Sequence, residues 1–204
     1  MKDNFTDLRV IRTIEAIKDA LVELIEEKGF DSITVKDITS KAKINRGTFY
    51  AHYQDKYDLM NRYQEEIMLG MSNIAKQNIY NLIADLHTNG TTLKPFEIAI
   101  LIFEFLEQNK RFMKAVLGPN GDLSFQTKLK NFMWKTLFES EESPLKQENI
   151  LVPREYLVSY IASAHIGVVQ QWLLSDRKET PQEMARILST ITLNGPFFAA
   201  GLKK

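Results

Sequence analysis

The chain has 204 residues, 26 basic against 26 acidic side chains, and no cysteine. The missing cysteine excludes disulfides, thiolate metal sites and cysteine nucleophiles, and an acid-punctuated amino terminus without a signal-peptide core points to a soluble cytoplasmic protein. The zero net charge is unevenly spread: residues 13–31 are acid-rich, whereas 32–62 carry Lys36, Lys41, Lys43, Arg46, Lys56 and Arg62 against Asp37, Asp55 and Asp58, a local basic surface of the kind a polyanion attracts.

The apolar positions Ile14, Ile17, Leu21, Leu24 and Ile25 recur at three- and four-residue spacing, which predicts a first helix stopped by Gly29. Phe30 follows as an apolar plug. Thr34 with Asp37 three residues on forms a capping box for a short second helix, whose inner face is Val35, Ile38 and Ala42. Asn45 caps a third short helix over "RGTFYAHY", and Asp55 and Asp58 open a long fourth helix striped by Leu59, Tyr63, Ile67, Met71 and Ile74. Further helices are expected at about 96–109, 112–117 and 125–138, separated by the turn "GPNGD" and followed by a polar loop over 139–149. The run "FEIAILIFEFL" from Phe96 is too short to cross a bilayer. Residues 156–174 are apolar on several faces and need cover on more than one side. "TPQE" at Thr180 caps a last helix running to Asn194.

Two short capped helices joined by a tight turn predict a helix-turn-helix, whose second helix enters the DNA major groove. Arg46 stands at the groove-facing start of that helix, where its planar fork can reach guanine. Gly47 costs the helix about 1 kcal/mol relative to alanine and suits a backbone that approaches DNA closely. Thr48, Tyr50 and His52 carry donors for phosphate oxygens, and Phe49 and Tyr53 turn inward as anchors. Lys56 at the start of the fourth helix, and Thr34 with Lys36 at the start of the second, pair a side chain with helix-terminal N–H groups that a phosphate could meet.

The stretch "GFDSITVKDITSKAKINRGTFYAHYQDKYDLM" resembles the DNA-binding domain of the tetracycline-repressor (TetR) family, in its glycine-aromatic step, its T-V-x-D-I helix and its G-T-F-Y-x-H-Y recognition helix. Two positions depart from the family pattern: Lys43 stands where the turn commonly has glycine, and Ala51 where a bulky residue is frequent. The resemblance implies an all-α dimer, with an N-terminal three-helix helix-turn-helix domain (1–58) followed by an effector-binding and dimerisation bundle (59–204), about nine helices in all. It places Thr34, Arg46, Thr48, Tyr50, His52 and Lys56 where family members contact DNA. The carboxy-terminal half, through "NKRFMKAVLGPNGDLSF" and "YIASAHIGVVQQWL", is similar to a branch associated with dihydroxyacetone-kinase activators, which leaves repression and activation both open.

Large side chains such as Met68, Met71, Phe132 and Trp172 read first as core. Phe103, Phe112, Trp134, Tyr160 and His165 are the candidates for lining an effector pocket, with His165 equally readable as a hydrogen-bonded core residue. Small residues Ala162, Ala164 and Gly167, with Gln171 and, on the last helix, Ile187, Leu188 and Ile191, are the candidates for a two-fold dimer interface. Three histidines at 52, 87 and 165, never at ligand spacing, argue against a metal site, and no cofactor is expected. The expected function is a transcriptional repressor bound to a palindromic operator and released by a small molecule. A co-activator working through a protein partner is the second reading, and an enzyme, for which no motif is present, the third.

Overall fold

The structure is a computed structural model that describes residues 3–88, 97–119, 121–139, 150–175 and 179–201. Among them the chain is helical throughout, without a strand. Helix α1 (Asp3–Lys28) buries Ile17, Leu21, Leu24 and Ile25 of the expected stripe, leaves Ile14 half-buried, and ends at Gly29 with φ 75°, a conformation that favours glycine. One 3₁₀ turn (Phe30–Ser32) leads to α2 (Val35–Lys41) and α3 (Arg46–Tyr50). Ile38 of α2 and Phe49 of α3 are fully buried in one cluster with Leu21 and Ile25, and this fixes the two short helices on α1.

The third helix is shorter than its sequence suggests. It stops at Tyr50, because the N–H groups of His52 and Tyr53 both turn back to the Phe49 carbonyl, at 3.0 and 2.9 Å. His52 therefore lies in a turn, and Tyr53 still swings into the core.

Helix α4 (Lys56–Thr88) runs unbroken from this head into the bundle. Its inner side carries Leu59, Met60, Ile67 and Met71, and a fully buried Gln64. That amide is satisfied at both ends: Nε2 donates to Asp122 Oδ2 at 2.8 Å and Oε1 accepts from Lys128 Nζ at 2.7 Å, as a buried polar group requires. Helix α5 (Glu97–Gln108) packs against α4 and α9, and α6 (Lys110–Leu117) touches α1, α7 and α8. Helix α7 (Leu123–Trp134) is capped by Asp122 and ends in a π-helical turn, Lys135–Glu139. Next come α8 (Arg154–Leu174) and α9 (Pro181–Asn194), the latter with the expected Thr180–Glu183 capping box. A short α10 (Pro196–Ala199) follows Gly195, beyond where the sequence reading ended, so the described residues hold ten α-helices rather than about nine. The polar loop expected over 139–149 lies, beyond Glu139, outside the described residues.

By length and composition α8 could cross a membrane. It packs instead against α6, α7 and α9 and buries Val158, Ala162, Ile166, Trp172 and Leu173.

Candidate nucleic-acid interface and apolar cavity

Caps fix the head first. Thr34 Oγ1 accepts from the Asp37 N–H at 3.2 Å, and Asp37 Oδ2 accepts from the Thr34 N–H at 2.8 Å. The Lys28 ammonium at 2.8 Å, and then the Thr34 donors, hold the Asp37 carboxyl well below the usual carboxylate range. Asn45 Oδ1 accepts from the Thr48 N–H at 2.7 Å and from its hydroxyl at 3.1 Å. A Cβ on Gly47 would lie 3.2 Å from that same oxygen, so glycine here also leaves the cap uncrowded. Asp55 Oδ1 accepts from the N–H groups of both Tyr57 and Asp58 at 2.8 Å.

These bonds revise two details of the sequence reading. The N–H groups of Tyr57 and Asp58 in the first turn of α4 are taken by Asp55 rather than open to a phosphate. Lys56 donates to the carbonyls of Phe30 and Asp31, at 3.1 and 2.9 Å, and lies over the rings of Phe30 and Tyr57. The Thr48 hydroxyl proton points to Asn45, so a phosphate would have to draw it away.

Pairing then sorts the charges. Lys28 is bound to Asp37, Lys41 to Glu23 and Glu27, and Arg62 to Asp58. Lys36, Lys43 and Arg46 are exposed and have no acidic partner among the described residues. They sit at the start of α2, in the turn, and at the start of α3. Tyr50, four residues after Arg46, is 55% exposed, Thr34 and Gly47 are exposed, and Thr48 and His52 are half-buried. Lys43 was missed as a candidate; its signal was its place in the turn, where the family pattern has glycine. Its φ is 54°, so the chain keeps the left-handed turn without glycine.

In the bundle a cavity of about 300 Å³ opens among α4 to α9, walled by side chains such as Met71, Phe103, Met113, Phe132, Ile161 and His165. Two of the five pocket candidates, Phe103 and His165, line it. Phe112 is buried elsewhere, stacked on Tyr63 with ring centroids 3.8 Å apart. Trp134 donates its Nε1 proton to Glu139 at 2.8 Å, and Tyr160 is 60% exposed on the outside of α8. Thr136 and Thr192 also line the cavity and were not anticipated. His165 Nε2 lies 3.0 Å from Thr192 Oγ1, and burial pushes the imidazole down to about 4. Among the described residues no three His, Asp or Glu converge as a metal would need.

The outer face of α8 presents Tyr156, Tyr160, Ser163, Gly167, Gln171 and Leu174, all exposed. A Cβ on Gly167 would meet nothing within 4 Å among the described residues, whose packing does not require glycine there. Ile187 of α9 is 37% exposed and Ile191 partly so. Ala162, grouped with Gly167 in the sequence, is fully buried inside the subunit and cannot meet a partner.

Comparison with known proteins fits this geometry. Residues 17–63 match the family model described as bacterial regulatory proteins, tetR family, and residues 93–194 match that of a transcriptional regulator C-terminal region. The HTH-type transcriptional regulator YxbF of Bacillus subtilis (strain 168) is 22% identical over 83% of this chain, which spans only 42% of the length of that relative. The HTH-type dhaKLM operon transcriptional activator DhaS of Lactococcus lactis is 28% identical over 80% of this chain and 81% of its own. A crystal structure of a TetR-family regulator from Syntrophomonas wolfei superposes with a TM-score of 0.64 at 19% identity, covering 94% of this chain and 96% of that one. With a helix-turn-helix seated on α1, an all-helical bundle behind it and family models matching both parts, this chain belongs to the TetR family of transcriptional regulators.

Proposed function

We propose that the chain is a cytoplasmic repressor that binds a palindromic operator as a homodimer and leaves it when a small molecule enters the cavity. The carrying observation is the sorting of charge in the head: neighbouring cations are neutralised within the subunit, whereas Lys36, Lys43 and Arg46 line the helix-turn-helix without acidic partners. In this reading Arg46 reads a base edge, Gly47 lets the backbone come close, and Thr34, Lys36, Thr48, Tyr50 and His52 hold phosphates. Lys56 acts indirectly by fixing the Phe30–Ser32 turn under α2. The head (1–58) and the bundle (59–204) serve as reading and sensing units. Selection of bound duplexes from a random library supplies the site. On that site Arg46→Ala relaxes base preference, whereas Lys36→Ala weakens all sequences alike and lowers the salt slope by about 1. A selection that returns no enriched sequence would refute the reading.

The similarity to a protein named as a transcriptional activator favours activation as a second reading. Transcription in vitro from the selected site, with and without the protein, decides the sign.

A further inference from the structure

We propose that the cavity takes an uncharged, mainly hydrocarbon molecule of modest size whose polar group is a hydrogen-bond donor received at the His165–Thr192 end, and that it rejects charged amphiphiles. This deepens the reading of the cavity as the effector site and rests on it.

The walls carry no Lys, Arg, Asp or Glu. A carboxylate or ammonium drawn inside would lose its hydration and find no counter-charge. About 300 Å³ lies at the small end of the roughly 300–1,000 Å³ range of ligand pockets.

The few polar groups on the wall define what a ligand must bring. Thr136 donates its hydroxyl proton to the Phe132 carbonyl at 2.9 Å, and Thr192 donates its own to the Leu188 carbonyl at 2.7 Å. A hydroxyl has a single proton. In the 3.0 Å contact between His165 and Thr192 the imidazole Nε2–H must therefore be the donor and Thr192 Oγ1 the acceptor. This hydrogen-bond pattern assigns the tautomer, leaving Nδ1 as a lone pair without a partner among the described residues. Burial keeps the ring neutral near neutral pH. The side-chain protons of Thr136, Thr192 and His165 are engaged within the protein, so the ligand must supply the donor, and His165 Nδ1 is the acceptor the proposal assigns to it.

Isothermal titration of the full-length protein with hexanol, heptanol and octanol tests the apolar part. Affinity should rise about three- to fourfold per methylene until the cavity is full. Octanoate and octylammonium should bind on the order of 100-fold more weakly than octanol. Heptyl methyl ether has the atoms of octanol without the donor, and should bind about two- to tenfold more weakly. His165→Phe should abolish that difference while leaving affinity for toluene intact. Octanoate binding as tightly as octanol, the ether matching the alcohol, or no alcohol binding at all would each overturn the proposal. Duplex binding is measured separately by gel shift. Intact DNA binding without alcohol binding sinks only the ligand class, whereas alcohol binding without DNA binding sinks the regulator reading and leaves the ligand class standing.

Discussion

Lys43 holds a left-handed backbone with φ 54° and projects a free cation from the turn between α2 and α3. An L-residue in that region costs about 1–2 kcal/mol, and glycine would relieve this while adding about 0.4–1 kcal/mol of unfolded-state entropy. Lys43→Gly should therefore stabilise the chain by about 0.5–1 kcal/mol in urea denaturation. The same change should lower the salt slope of DNA binding by about 1. Tighter DNA binding on substitution would deny the lysine a place at the phosphates. Asp37 carries a pH dependence whose sign is fixed. Lys28 first, and Thr34 second, lower its folded pKa below the unfolded value of about 3.9. Its contribution is therefore complete above the unfolded pKa and is lost as pH falls through the folded one. Asp37→Asn should be less stable than the wild type near neutrality, with the gap closing in acid. A gap independent of pH would show that the carboxylate charge plays no part.

Helix α6 has three faces with three tasks. Arg111 reaches Asp19 and Glu23 of α1 at 3.2 and 3.4 Å, Phe112 stacks on Tyr63 of α4, and Met113 and Leu117 line the cavity. The Arg111 pairs are exposed and screened, so they contribute at most about 1 kcal/mol. Truncating a buried Phe costs about 3–5 kcal/mol. Arg111→Ala should leave the denaturation midpoint nearly unchanged, whereas Phe112→Ala should lower it strongly. Equal losses for the two alanine variants would mean the ion pairs dominate. Phe112 also marks where the sequence stops being legible. The Thr34–Asp37 and Thr180–Glu183 boxes and the Asn45 cap read directly, because each is a contact three residues apart with fixed chemistry. The helix-turn-helix reads well for the same reason. Phe103 and Phe112 are both large, buried and on apolar helix faces, and only packing against remote helices sends one to the cavity and the other to Tyr63. The early stop of α3 is not legible either: it lies in the shared Phe49 carbonyl, which the N–H groups of both His52 and Tyr53 meet.

At the scale of the molecule, one head covers one half-site, and the proposed symmetric operator needs two heads fixed at a constant distance. In the proposed dimer the exposed face of α8 would be the seam: Tyr156 and Tyr160 toward one end, Gly167 near the middle, Gln171 and Leu174 beyond, with Ile187 of α9 alongside. Among the described residues nothing lies within 4 Å of a Cβ placed on Gly167. A leucine there would be harmless to the isolated fold and would gain slightly in helix propensity, but would push apart two backbones meeting at that point. Gly167→Leu should thus keep the far-ultraviolet circular dichroism of the wild type while sedimenting as a monomer. Because two linked heads gain about 10²–10⁴-fold over one through effective concentration, binding to a full operator should fall by that order, whereas weak binding to a half-site should be unchanged. If Gly167→Leu still sediments as a dimer with full operator affinity, the subunits meet elsewhere. If its helicity falls, the glycine serves the subunit's own packing and the open space before it has another cause.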